Sequence, residues 1–278
     1  MKAAGIASIL LLTAILAGCG ESPNEEFQNI AAILSPDGSK IAFVRNFHYY
    51  FNKASVIDLG GWRETAYAAT IIYTIDRSTR ELTKLVEVDD IWHYCSSRYD
   101  CPVNISWESD LIAYSVNQDV VQIISPDGIG AGTVDFSSGK YGPAIQFTLS
   151  GDAEELFFIG RHPWEYDREG LCSGNLDGTG RAFIADLTGL RIYEVHDMLW
   201  DSGQNCILLI ERVHNENLIV WQIKPDGTDL KKSEQGLEEY RRRRLGGWED
   251  ALSFSQLEEL TQGISYAEWG IPAPEEFD

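Results

Sequence analysis

One phrase recurs four times along this chain, and its recurrence constrains the fold more than any other feature of the sequence. In the best copy, Ala31 to Val44, an apolar run ends at Ser35, the turn Pro36-Asp37-Gly38 follows, and a second run with alternating apolar residues begins at Lys40. Asn104 to Tyr114 repeats it with a shortened turn, Gln146 to Ile159 with Ser150-Gly151-Asp152, and Asp197 to Ile210 with Asp201-Ser202-Gly203. Such a turn between two runs of period two reverses the chain, so each copy predicts an antiparallel hairpin. A third strand follows each hairpin, over Ile71 to Asp76, Val120 to Ser125, Leu171 to Leu176 and Leu218 to Lys224, and Glu81 to Leu85 with its counterparts adds a fourth. Four antiparallel strands per repeat, stacked by repetition, form a propeller blade.

On these residues the chain resembles the WD-repeat-like β-propellers of the TolB type, whose signature is a Ser-Pro-Asp-Gly turn followed by Lys-Ile-Ala-Phe. Ser35 to Phe43 matches that signature, and the resemblance runs from residue 29 to 235, degenerate in the later three repeats. It implies an all-β fold, a β-propeller of about four to five four-stranded blades over residues 29–278, with a short helical insertion at 236–256. Glu259 to Thr261 and Ile264 to Trp269 read as further strands within 257–269, closing the ring or opening a fifth blade. Such blades serve many functions, so the resemblance speaks for the fold alone.

The start of the chain points to a compartment. Lys2 precedes an apolar run from Ala3 to Ala17 that ends in Leu16-Ala17-Gly18-Cys19. That run is shorter than the roughly 20 residues a spanning helix needs, and small residues precede the Cys, as in a lipobox. The segment resembles the signal of bacterial lipoproteins. Residues 1–18 would then be removed, Cys19 acylated, and 19–28 would form a tether to the bacterial cell envelope. The expected site is the outer membrane facing the periplasm in a Gram-negative host, or the surface of a Gram-positive one. With 43 Asp plus Glu against 22 Lys plus Arg, the formal charge is −21, so a footprint for nucleic acid is absent and membrane association is expected through the lipid anchor only.

Antiparallel strands send successive connectors to opposite faces of the disc, and the short Asp-Gly turns share one face. The long insertions Asn46 to Thr70, Asp89 to Pro102 and His162 to Gly170 fall mostly on the other. They carry Phe47, Tyr49, Tyr50, Phe51, Trp62, Trp92, Tyr94, Tyr99, Trp164 and Tyr166, an aromatic density unusual in loops. That face is the candidate binding surface for a protein or peptide, unless the rings fold over one another as a secondary core. The expected function is a non-enzymatic interaction module. The alternatives are an enzyme or carbohydrate-binding propeller with its site in the central channel, and a relic of a larger propeller protein.

No Gly-x-Ser-x-Gly elbow surrounds Ser138 or Ser173, and His48, His93, His162, His196 and His214 never fall at metal-ligand spacing. Asp89, Asp90 and His93 read as a solvated acidic link, and turn formation accounts for Asp37, Asp127, Asp177 and Asp226 better than calcium. No cofactor and no metal are expected. Arg241 to Arg244, flanked by Glu238, Glu239, Glu249 and Asp250, read as an ion-paired surface run. Cys172 and Cys206 read as two buried thiols. Cys95 and Cys101 flank a five-residue polar loop that a disulfide closes in an oxidising envelope. Non-reducing peptide mapping should recover these two cysteines as one cross-linked species; alkylation of both without reductant would remove the bridge.

Overall fold

The aspartate turns recur because each carboxylate closes its own turn. Ser35 Oγ donates to Asp37 Oδ1 at 2.6 Å, the Ser39 amide donates to the same oxygen at 3.0 Å, and Gly38 takes the left-handed conformation at φ 74°. Asp177 and Asp226 accept in the same way from the amides of Thr179 and Thr228, both at 2.9 Å. In the degenerate copies Ser109, Ala153 and Asn205 occupy the left-handed region at φ 49°, 57° and 51°, where glycine would be expected.

These turns join the strands of a computed structural model that describes residues 24–54, 61–88, 104–115, 120–136, 146–161, 169–187, 190, 195–213, 217–244 and 251–277. The first sheet comprises β1 (Asn24–Leu34), β2 (Lys40–Ala54), β3 (Gly61–Asp76) and β4 (Leu82–Val88). The second comprises β5 (Asn104–Glu108), β6 (Leu111–Ser115), β7 (Val120–Ile124) and β8 (Gly130–Asp135). The third comprises β9 (Phe147–Leu149), β10 (Glu155–Arg161), β11 (Glu169–Asn175) and β12 (Ala182–Asp186). The fourth comprises β13 (Val195–Asp201), β14 (Cys206–Val213), β15 (Asn217–Ile223) and β16 (Lys231–Lys232). Every sheet is antiparallel with its strands in chain order, and β1 lies against β5, β5 against β9 and β9 against β13. The first strands therefore line one axis, as in the all-β propeller expected from the repeats, with four blades among the described residues.

Strand periodicity explains how the blades stack. Phe158 points into a cluster with Phe136, Phe147 and Val121 of the second blade and its neighbour, whereas the adjacent Phe157 stacks on Trp200 of the fourth blade at 5.9 Å. Because both faces of β10 are covered, its sequence is a continuous apolar run instead of an alternating one. Gly151 is required beside this stack, since a Cβ there would stand 2.3 Å from Trp200 Nε1.

Helices occupy the seam between the fourth and first blades. In α1 (Glu234–Arg243), capped by the Ser233 side chain, Tyr240 and Leu237 pack on Leu208 and Val220 of blade four. The region 257–269, expected as strands, is helical: α2 (Ala251–Thr261) and α3 (Tyr266–Trp269) cover the outward face of blade one. The reason lies in local chemistry. Leu257, Leu260 and Thr261 follow helical spacing, Ser265 and Glu268 form both halves of a capping box, and Gly270 ends α3 at φ 65°. Arg80 then ties the end of α2 to the β3–β4 turn by donating to the carbonyls of Leu260, Glu259 and Gln262 at 2.8 to 3.0 Å.

The expected loop Asn46 to Thr70 is mostly strand. A continuous β2–β3 ladder pairs Asn46 with Thr70, Phe47 with Ala69 and Tyr49 with Tyr67, and β1 extends alongside from Asn24, so the expected tether to residue 28 is in part strand. The aromatic residues are strand formers whose alternate side chains meet the C-terminal cover. Phe43, Phe47, Tyr49 and Tyr73 share a cluster with Leu257, Trp269 and Ile271, and the Tyr73 and Tyr49 hydroxyls donate to the carbonyls of Trp269 at 2.7 Å and Pro272 at 3.1 Å. Phe47→Ala and Trp269→Ala should each lower unfolding free energy by about 3–5 kcal/mol, measured by denaturant titration. A change near zero would place these rings outside the core.

Candidate functional site

The polar residues of the inner strands meet at the centre of the disc. Asn104 Nδ2 donates to Gln146 Oε1 at 2.6 Å, and the hydroxyls of Ser106 and Thr148 stand 3.1 Å apart. Into this centre α1 delivers its last arginine and the residue after it. Arg243, fully buried, donates to the carbonyls of Leu34 at 3.2 Å and Trp107 at 2.6 Å and pairs with Glu108 at 3.1 Å. Arg244 donates to the Ile105 carbonyl and pairs with Asp197 at 2.6 Å. Residues from blades one, two and four thus converge on two guanidinium groups.

The run expected as an ion-paired surface is therefore divided. Arg241 and Arg242 do pair on the exterior with Glu238 and Glu239, three residues earlier, but Arg243 and Arg244 are buried. Helical spacing was the available signal: Gly236, Tyr240 and Arg243 fall at i, i+4 and i+7, on the buried face of α1. Burial pushes the Glu108 carboxyl up to about 7, against the opposing pull of Arg243, and burial also raises Asp197 against the pull of Arg244.

Among the proposed binding residues, Phe47 and Tyr49 are core residues, 1% and 0% exposed, and so cannot form a docking face. Their burial follows from the strand register described above. Tyr50 and Phe51 are half-buried near the far end of β2. Tyr50 stacks on His48 with centroids 5.3 Å apart, and His48 Nε2 lies 3.0 Å from Thr65 Oγ1. Trp62 stands opposite Lys53 in the ladder. Trp92, Tyr94, Tyr99, Trp164, Tyr166, Cys19, Cys95, Cys101, Asp89, Asp90 and His93 lie outside the described residues.

Burial shapes the remaining reactive groups. It pushes the Cys172 thiol up to about 12 and Cys206 up to about 11, so these two buried thiols, free as expected, carry little thiolate at neutral pH. Tyr266 is raised to about 12 by burial and by its hydrogen bond to Glu25, and Tyr67 to about 12 by burial. Among the described residues no group of three or more His, Cys, Asp or Glu is placed to hold a metal ion. The turn aspartates use their oxygens on their own turns, and those hydrogen bonds hold Asp37, Asp127, Asp152, Asp177 and Asp226 below the usual carboxylate range.

No family model matches this chain, and no curated protein matches it. Solved structures with a similar arrangement include an oligogalacturonate lyase from Vibrio parahaemolyticus, at 8% identity over 75% of this chain and 54% of that one, with a TM-score of 0.44. They also include TolB from Acinetobacter baumannii, at 12% identity over 79% and 53% with a TM-score of 0.39. A third is a gluconolactonase from Xanthomonas campestris, at 13% identity over 73% and 56% with a TM-score of 0.40. The chain spans about half the length of these proteins. The expectation of a non-enzymatic protein is corrected by this comparison: a lyase and a lactonase share the propeller fold, which is no ground for excluding catalysis.

The central pairs generate a stability test. Arg243→Ala leaves Glu108 and two strand carbonyls buried without their donor and should cost about 3–5 kcal/mol, whereas Arg243→Met combined with Glu108→Leu should recover only the part due to the unpaired carboxyl, because the Leu34 and Trp107 carbonyls stay without a donor. The pH dependence has a definite sign. Because Glu108 titrates near 7 when folded against an ordinary 4.5, its contribution is complete below 4.5 and is lost as pH rises towards 7. The turn aspartates act in the opposite direction, losing their contribution on acidification below the ordinary carboxylate range. Denaturant titration from pH 4.5 to 7 should therefore show wild type losing stability relative to Glu108→Gln. A constant difference would contradict this assignment.

Proposed function

We propose that this protein is a lipid-anchored β-propeller of the bacterial cell envelope that recruits a protein or peptide to the outer surface of its disc. The observation that carries this reading is the filled centre. A ligand entering there must displace Arg243 and Arg244 from buried ion pairs and strand carbonyls, which directs recognition to the exterior. The turn face is the surface we assign. Asp37, Asp127, Asp152, Asp177 and Asp226 are exposed there, each oriented by its own turn and held ionised, and this fixed pattern of negative charge complements a basic partner. The lipobox ending at Cys19 supports the anchor.

Two measurements test the proposal. Cys19→Ser should move the protein from the membrane fraction to the soluble fraction, and retention after a high-salt wash would overturn the anchor. A photo-crosslinking amino acid in place of Thr228 should capture a discrete protein in cells, and capture should be lost when Asp37, Asp177 and Asp226 are replaced by Asn. Equal capture from a control position at Glu238 would overturn the turn-face assignment.

A further inference from the structure

One extra residue in β1 brings together side chains whose polar groups the blade leaves unsatisfied. Between Asn29 and Ala31 the pairing with β2 shifts by one, so Ile30 has no residue opposite it. Without that bulge Asn29 would stand opposite Asn46 and Phe27 opposite His48, on the sheet face turned to the neighbouring blade. With it, Asn29 stands opposite Arg45 and Phe27 opposite Phe47, on the outward face that also carries Trp269.

The Arg45 guanidinium lies among three rings, 4.5 Å from the centroid of Trp269, 5.4 Å from Phe27 and 5.5 Å from Phe47. Rings attract a cation through their faces, but they offer no lone pair to its N–H groups. Arg45 is half-buried and its Nε is shut off from solvent, yet the group has no acceptor and no ion-pair partner among the described residues. Burial pulls the guanidinium below its ordinary range, against the weaker pull of Tyr73 and Glu258. The side-chain oxygen of Asn29, at the paired position, is likewise buried without a donor. Two acids of this face do not fill the role. Glu25 accepts from the Tyr266 hydroxyl at 2.9 Å, and the exposed Glu258 acts on Arg45 only at longer range than an ion pair. Orphaned polar atoms are costly to bury, and a donor and an acceptor side by side are satisfied together by a molecule that brings both complements. Phe27, 36% exposed, adds an apolar surface at the same place.

We infer that Phe27, Asn29 and Arg45 form a binding site for an organic carboxylate that carries an apolar group and has an N–H or O–H next to the carboxylate. The carboxylate accepts from the Arg45 guanidinium, the adjacent donor meets Asn29 Oδ1, and the apolar group covers Phe27. The C-terminal residue of a peptide and a free N-acyl or α-hydroxy acid share this chemistry. The site lies on the outward face of blade one, apart from the turn face, and does not depend on recruitment there.

Calorimetric titration of the full-length protein in detergent micelles with N-acetyl-phenylalanine, which carries all three features, tests the site. Saturable binding is expected, weaker by about tenfold for the carboxamide analogue and for Arg45→Gln, since a hydrogen bond to a charged group is lost in each. Thermal unfolding checks that the variant is folded. The unsubstituted protein supplies a second measurement: N-acetyl-phenylalanine should slow amide hydrogen exchange over residues 25–31 and 43–49 and leave 125–129 unchanged, and the carboxamide should do neither. No saturation up to about 10 mM, equal affinity for the carboxamide, undiminished binding by folded Arg45→Gln, or protection elsewhere would each overturn the site and leave Arg45 as a support for its three rings. Two further ligands separate the sources, either result supporting the site. Tighter binding of a tripeptide ending in phenylalanine marks a peptide C-terminus, and equal binding of 3-phenyllactate marks a free acid.

Discussion

Two guanidinium groups at the axis hold together strands that have no covalent reason to meet. Arg243 joins Leu34 of blade one to Trp107 and Glu108 of blade two, and Arg244 joins Ile105 of blade two to Asp197 of blade four. Alongside the apolar faces of the blades and the Asn104–Gln146 and Ser106–Thr148 contacts, these are directional contacts. A buried ion pair contributes little net stability, because desolvation of both charges offsets their attraction. Its consequence here is positional: α1 can occupy the seam in only the orientation that delivers both side chains to the axis. The antiparallel bridge between Ile33 and Arg244 then continues the backbone of α1 into the first blade.

The seam also explains why blade one differs from the others. Among the described residues, the cluster on its outward face holds no residue of another blade, and residues of α2 and α3 together with Ile264 and Ile271 cover it. The cover has polar attachments as well as apolar ones. Arg45 lies over the rings of Trp269, Phe47 and Phe27 at 4.5 to 5.5 Å, and Arg80 holds the end of α2. β2 and β3 are the longest of the described strands, and Phe47, Tyr49 and Tyr67 find a packed surface against this cover.

Charge is distributed along the axis in a way that connects fold to proposed function. Positive charge is concentrated inside, where it meets Glu108 and Asp197, while the turn aspartates display negative charge at one face.

The blades were legible in the sequence because strand alternation and Asp-Gly turns are local. Ser35 to Phe43 specifies its hairpin through hydrogen bonds that reach no more than five residues, and the third and fourth strands followed the same rule. The burial of Cys172 and Cys206 was legible for a similar reason, since both sit in apolar strand patterns. What the local pattern could not decide was which surface would cover a given strand. Phe47 and Tyr49 look alike as loop aromatics or as core, and only Trp269 and Pro272, more than two hundred residues away, settle the matter. Likewise, the sequence by itself determined that Arg241 to Arg244 form a basic run near acids, whereas the tertiary structure decided that half of the run lies at the axis. The acceptors for Arg243 and Arg244 come from three blades, and they are brought together only when the ring is assembled.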